Sequence, residues 1–262
     1  MFYKIKGSFL AQQKKNYQAI EAYSTAFNIL KKHPNETDFT KDNQFITGGN
    51  ITSVHRDLIK LLSENNTESN LRKQVEQSLT EHLYAQLIYF LNAKNWADAD
   101  RQTFRLMLNI SKAEKQGYLY EENINRFSCP DLQKIDKLWI SNSDKRFGFS
   151  VQKEIWIKTH NRLGIKVTQW NDNDGKNYLQ FARAVGWYDD KVRENETGDH
   201  WLTYNELIES IKVNPSWVTL PLYPYAWGGY GYGYGYGVRA AFRGGMAGVG
   251  SFLALRLVNC NR

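Results

Sequence analysis

Residues 127–152 read FSCPDLQKIDKLWISNSDKRFGFSVQ. Pro130 has the preset backbone angle of a first helical turn, and Leu132, Ile135 and Leu138 then recur along one side of a helix. Trp139, Phe147 and Phe149 stand at periodic or glycine-punctuated positions of the kind that packing selects. This stretch is one of a series of short helices, with its aromatic side chains directed to a core.

Upstream, Leu79, Leu83, Leu87 and Leu91 recur at fourfold spacing with Tyr84 and Ile88 alongside, a broad apolar stripe on a helix. Asn95 is placed to cap the next helix, which carries Trp96, Ala99, Thr103, Leu106, Met107 and Ile110, with Asp98 in its first turn where the helix dipole favours an acid. Downstream, Thr203-Tyr204-Asn205-Glu206 forms a capping box ahead of Leu207, Ile208 and Ile211. Strand-like alternation is scarce. The pattern predicts a mainly α protein: a compact multi-helix domain over 80–221, an N-terminal helical segment over 1–75 and a low-complexity tail over 222–262.

Within the first segment, Gly7, Tyr17, Ala19, Ala22, Tyr23, Ala26 and Phe27 resemble one tetratricopeptide repeat, with small residues where two helices approach closely. Residues 33–53 hold His33-Pro34-Asn35 and Gly48-Gly49-Asn50 and read as a loop. From Pro221 the composition turns to alternating Tyr and Gly. Glycine at every second position carries a high backbone entropy cost, so the tail is expected to be mobile. Its end, with Val238–Arg243 and Leu255–Val258, faintly resembles the closing strands of formylglycine-generating-enzyme-like domains.

Among 262 residues are 8 Trp, 16 Tyr and 13 Phe, more flat apolar surface than an ordinary core needs. The net charge of +7 favours anionic partners: a carboxylated small molecule, nucleic acid or, through peripheral association, an acidic membrane. The two cysteines, Cys129 and Cys260, make no disulfide framework, and no CxxC or HExxH spacing offers metal ligands, so a reducing, cytoplasmic setting and no protein-bound metal are expected. The N-terminus is too polar for a signal sequence, and no apolar run reaches the roughly 18 residues of a membrane span. His33, His55, His82, His160 and His200 fall in no nucleophile or acid–base spacing, which argues against an enzyme.

The series Trp96-Ala97-Asp98-Ala99, Thr103, Met107-Leu108, then Asp131-Leu132, Ile135-Asp136, Leu138-Trp139 and Arg146-Phe147-Gly148-Phe149-Ser150-Val151-Gln152, closing with Phe181, Val185-Gly186-Trp187 and Trp201, resembles the GUN4 domain family. The resemblance covers more than half of the chain. It implies a largely helical domain that binds protoporphyrin IX or Mg-protoporphyrin IX on a cupped face, regulates chlorophyll biosynthesis and stimulates magnesium chelatase, whose large subunit is the expected partner. Two positions depart from the family pattern. Ala182-Arg183-Ala184 stands where Gly-Asp-Arg is usual, and Val218-Thr219-Leu220-Pro221 where Gly-His-Leu-Pro is usual.

A porphyrin needs a broad apolar wall for its faces and cationic or N–H donors for its propionates. The segment 170–187 offers both, with the polar run 171–177 read as a mobile loop. Trp170 and Tyr178 are the expected walls, with Phe181 and Trp187 beside them, and Arg183 is the expected bidentate partner of a propionate. Asn171–Asp174 supply oxygens suited to an axial position on magnesium. The competing reading is a protein-interaction or signalling module that uses the same domain without porphyrin delivery. Nucleic acid, for which a Tyr/Gly tail could supply stacking surfaces, is not the expected partner.

Overall fold

The structure, a computed structural model, describes residues 1–32, 47–65, 69–191, 200–213 and 246–260. Helix dominates, and an isolated antiparallel bridge joins Tyr188 to Trp201. The chain divides into two units, Met1–Tyr89 and Phe90–Arg262.

In the first unit, α1 (Phe2–Gln12) and α2 (Asn16–Lys32) form a helix pair. Gly7 makes their close approach possible: a Cβ there would lie 2.7 Å from the ring of Tyr23. Ala19, Tyr23, Ala26 and Phe27 of α2 then meet Val54, Leu58, Leu61 and Leu62 of α3 (Gly48–Glu64). Burial and the neighbouring Asp57 carboxylate, which accepts from Tyr23 Oη at 3.0 Å, push the Tyr23 phenol up to about 12. The expected loop over 33–53 ends sooner than its glycines suggested. Thr47 Oγ1 accepts from Asn50 N at 3.1 Å and caps α3, so Gly48-Gly49-Asn50 is the first turn of a helix; residues 33–46 lie outside the described residues. Leu79, Leu83, Leu87 and Leu91 of α4 (Ser69–Asn92) are all buried, as their spacing predicts.

The second unit begins with α5 (Trp96–Ile110), capped by Asn95 Oδ1, which accepts from Asp98 N. After the short α6 (Glu121–Asn125), Ser128 caps α7 (Cys129–Asn142) with Pro130 in its first turn. Trp139 is fully buried and donates from Nε1 to Thr103 Oγ1 at 2.9 Å, while its ring meets Trp96 and Phe147 at 6.1 Å each. Gly148, at φ 155°, opens α8 (Phe149–Lys158) in a conformation that suits glycine. A Cβ there would also lie 2.9 Å from Asp136 Oδ1, the oxygen that accepts from Ser150 N at 3.0 Å and so caps α8 from α7. The Ile-Asp and Arg-Phe-Gly-Phe-Ser motifs are therefore two halves of one helix junction. Arg146 donates to Ile211 O at 2.7 Å, in the last turn of α10 (Tyr204–Val213), itself opened by the Thr203–Glu206 capping box.

The tail departs from expectation. Met246–Cys260 is a helix, α11, that packs on α6, α7 and α8, and Leu255–Val258 lie within it rather than in strands. Phe252, Leu253, Ala254 and Leu257 are buried, and apolar residues at that spacing make a helical stripe that the preceding glycine-rich run hides. Residues 222–245, including the Tyr/Gly run and Val238–Arg243, lie outside the described residues. Arg256 donates to Phe127 O from Nε at 3.0 Å and from Nη2 at 2.6 Å. The expectation of reduced cysteines also fails: Cys129 and Cys260, 131 residues apart, are joined in a disulfide that ties the end of α11 to the start of α7. Among the described residues no helix is long and apolar enough to cross a membrane.

Candidate functional site

Residues 171–177, expected as a loop, open α9 (Asp172–Val185). Asn171 Oδ1 accepts from Asn173 N at 3.0 Å and Asp174 N at 3.2 Å, and Asp174 Oδ2 returns the bond from Asn171 N at 2.8 Å. This capping box uses Asn and Asp in place of the usual Ser/Thr and Glu. It engages Asn171 Oδ1 and Asp174 Oδ2, two of the oxygens that were candidates for magnesium. Gly186, at φ 82°, ends the helix in the left-handed conformation, which is why Val-Gly-Trp needs its glycine.

Asp174 is buried (5% exposed) and is held by Arg162, whose Nε donates to Oδ1 at 2.8 Å while Nη2 reaches Oδ2. These hydrogen bonds keep the Asp174 carboxyl below the usual carboxylate range. Arg162 Nη2 also donates to Gln169 O at 3.0 Å, which fixes the single turn of 3₁₀-helix Val167–Gln169 that leads into Trp170. Asn161 Nδ2 donates to Asn177 O, and Asn177 Nδ2 to His160 O, closing the α8–α9 connection from the other side. The approach to Trp170 is thus set by polar side chains, which sequence spacing does not reveal.

Around this frame stands an aromatic cluster. Trp156 of α8 meets Phe181 at 5.0 Å and Tyr178 at 6.2 Å; Trp170 meets Tyr178 at 5.4 Å; Trp201 stacks on Tyr178 at 5.9 Å; and Trp187 meets Phe181 at 5.4 Å. The structure therefore gathers Trp170, Tyr178, Phe181 and Trp187 as the sequence led one to expect, and adds Trp156 and Trp201. Trp201 was legible only as part of the family order, and Trp156 carried no separate signal. Tyr178, Phe181 and Trp187 are 3–5% exposed, so their faces cover one another, while Trp170, Tyr188 and Trp201 are half-buried and form the accessible rim.

Two donors in this cluster are anomalous. The Trp170 Nε1–H and the Tyr178 hydroxyl are both buried, and neither meets an acceptor among the described residues. Burial also drives the Tyr178 phenol upward from its ordinary value, so it stays a protonated donor. Leaving such a group unmatched costs about 1–3 kcal/mol, which marks a position where an acceptor from outside the protein would be stabilised. Arg183 lies at the rim, not in the cluster. It forms a two-point ion pair with Asp190 (Nε to Oδ2 2.7 Å, Nη2 to Oδ1 2.9 Å) and covers the Tyr188 ring at 5.0 Å. The hydrogen bond from Arg183 lowers the Asp190 carboxyl from its usual value.

The GUN4-like family model matches residues 77–224 of the chain, more than half of its length. The chain belongs to the GUN4-like family. In sequence it is similar to a protein of Arabidopsis thaliana named "Tetrapyrrole-binding protein, chloroplastic", 48% identical over 103 residues, which are 36% of this chain and 39% of that one. It is also similar to an uncharacterized ycf53 protein of Pyropia yezoensis, 28% identical over 111 residues (42% of this chain, 40% of that one), and to the Ycf53-like protein of Synechocystis sp., 26% identical over 106 residues (40% and 39%). The chain thus spans about two fifths of the length of the curated relatives it matches. The ligand-free structure of Arabidopsis thaliana GUN4 shares 26% identity at a TM-score of 0.44 over 67% of this chain and 91% of that one. For this member of the GUN4-like family, the motif residues divide by location: Trp96, Trp139, Phe147 and Gly148 build the α5–α7–α8 junction, and Phe181 and Trp187 build the aromatic cluster.

Proposed function

We propose that this protein binds a tetrapyrrole, protoporphyrin IX or its magnesium complex, at the Trp170–Tyr178 edge of the aromatic cluster and acts as a non-catalytic regulator or carrier. The observation that carries the reading is the pair of buried, unmatched donors, Trp170 Nε1–H and Tyr178 Oη–H, set among rings broad enough to cover a macrocycle face. A flat apolar dianion meets both requirements: its faces pack on indole and phenol rings, and its propionate oxygens accept from buried donors. Trp170 moves outward to admit it, because Tyr178 and Phe181 are covered in the closed arrangement. Arg183 exchanges Asp190 for a propionate, a replacement of one carboxylate by another at a fork already pointing to the rim. Trp187 and Phe181 hold the back of the cluster. Family membership and the name of the Arabidopsis relative support the ligand class.

Regulation of chlorophyll biosynthesis through magnesium chelatase, with its large subunit as partner, is the role that the family resemblance supports. A second reading, a protein-interaction module, draws on one feature: Phe2, Ile5 and Phe9 are more than half exposed on a single face of α1. Titration of the folded protein with protoporphyrin IX separates the two. Saturable tryptophan quenching and a Soret shift at roughly micromolar concentration are expected. Absence of both, with the protein folded by circular dichroism, refutes tetrapyrrole binding and leaves the interaction reading.

A further inference from the structure

The helix α11 lies beyond the matched residues 77–224, yet it touches the frame of the proposed site. Ser251 Oγ, fully buried, donates to Arg162 O at 3.1 Å and accepts from Ile165 N at 2.8 Å, while Gly164 N donates to Ser251 O at 3.2 Å. Gly164, at φ 65°, sits so close to α11 that a Cβ would lie 2.5 Å from Leu255 Cδ2, and a Cβ on Gly250 would lie 3.2 Å from the Trp156 ring. One helix therefore fixes the 162–165 backbone and backs Trp156. The same Arg162 sends its guanidinium to Asp174 and Gln169, the two contacts that aim α9 and Trp170. A continuous path of hydrogen bonds leads from α11 to the cluster edge.

At its far end α11 is held by the Cys129–Cys260 disulfide, by Gln133 Nε2 donating to Cys260 O at 3.0 Å, and by Arg256 on Phe127 O. Both cysteines are half-buried rather than enclosed. We propose that α11 is a disulfide-fastened strap that positions the tetrapyrrole site through Ser251 and Arg162, and that reduction of Cys129–Cys260 by a dithiol weakens ligand binding. The step balances as thiol–disulfide exchange: the dithiol becomes a disulfide, two electrons and two protons pass to the protein, and Cys129 and Cys260 become thiols. With the cross-link gone, the strap is held only by packing and hydrogen bonds, those of Arg256 to Phe127 O among them, and the site spends more time with the 162–165 backbone released.

The affinity part of this inference rests on the tetrapyrrole reading; the mechanical part does not. The full chain is therefore examined oxidised and after dithiothreitol, with thiol alkylation verifying each state, by amide hydrogen exchange and by protoporphyrin IX titration. Reduction is expected to speed exchange at residues 161–166 and 172–178 and to weaken binding about five- to tenfold. Cys260→Ser is expected to show the weaker binding from the outset and no response to dithiothreitol. Ser251→Ala, with the disulfide intact, is expected to reproduce the loosening at 161–166. Unchanged exchange at 161–178 in the fully alkylated reduced protein overturns the strap whether or not protoporphyrin binds. Altered exchange with unchanged affinity overturns its coupling to the ligand, and absence of protoporphyrin binding in the oxidised chain refutes the tetrapyrrole reading and the affinity part with it, while the exchange result still decides the strap.

Discussion

The second unit contains two aromatic clusters built from the same residue types, and they differ in how their polar atoms are matched. Around Trp139, the indole N–H meets Thr103 Oγ1 at 2.9 Å, and Trp96 and Phe147 pack on the ring. Around Tyr178, the rings pack as densely, but the Tyr178 hydroxyl and the Trp170 indole N–H are buried with no acceptor among the described residues. The first arrangement is a finished core. The second keeps donors in reserve, at a cost to stability that ligand binding would recover. Aromatic content alone does not separate these two clusters; the matching of their ring N–H and O–H groups does.

That contrast is open to attack by mutation, and the largest effect belongs to the core. Trp139→Ala removes a fully buried indole and its hydrogen bond to Thr103 Oγ1, with an expected loss of about 3–5 kcal/mol in urea unfolding. A loss below about 1 kcal/mol would mean that the α5–α7–α8 junction is not the stabilising centre. Next in size is Arg162→Ala, which leaves the buried Asp174 carboxylate unpaired. Its melting temperature is expected to fall, less than for Trp139→Ala, and its pH dependence to change. Because Arg162 depresses the Asp174 carboxyl, the stabilisation from this pair is fully present above the unfolded carboxylate value of about 4 and is lost as pH drops through the lower folded value. The wild-type cluster, followed by tryptophan fluorescence, should therefore loosen in acid below about pH 4, and the Arg162→Ala protein at a higher pH. Identical acid profiles would remove the pair from the account. Smallest is Tyr178→Phe, which deletes an unmatched hydroxyl and should leave stability unchanged or raised by up to about 1 kcal/mol. A clear destabilisation would show that the hydroxyl has a partner after all, and the distinction between the clusters would vanish.

Legibility in the sequence followed the same divide. The core could be read because its determinants are local: the spacing of Leu132, Ile135 and Trp139, the glycine of Phe147-Gly148-Phe149, and the caps at Asn95 and Thr203 each act within a few residues. Four of the expected site residues, Trp170, Tyr178, Phe181 and Trp187, come together, yet the stretch 171–177 misled because Asn-x-x-Asp looks like a polar loop until Asp174 is seen folding back on Asn171 N. Arg183, expected as the bidentate partner of a propionate, is held by Asp190. Trp156, Arg162 and Ser251 act across the fold, and nothing in their local spacing announces that. The strap escaped notice for a related reason: cysteines 131 residues apart show no motif, and the glycine-rich run before Met246 masks a helix with an ordinary apolar stripe.

The central claim is that unmatched buried donors mark the binding edge. The most direct test is protoporphyrin IX titration of Tyr178→Phe beside Thr103→Val, by Soret absorbance. Thr103→Val strands the Trp139 N–H at the core cluster, so it is expected to lose about 1–3 kcal/mol of stability and keep wild-type affinity. Tyr178→Phe is expected to keep its stability and bind about tenfold more weakly, the loss of one buried hydrogen bond to a carboxylate. Wild-type affinity in Tyr178→Phe, or an equal loss in both proteins, would contradict the account.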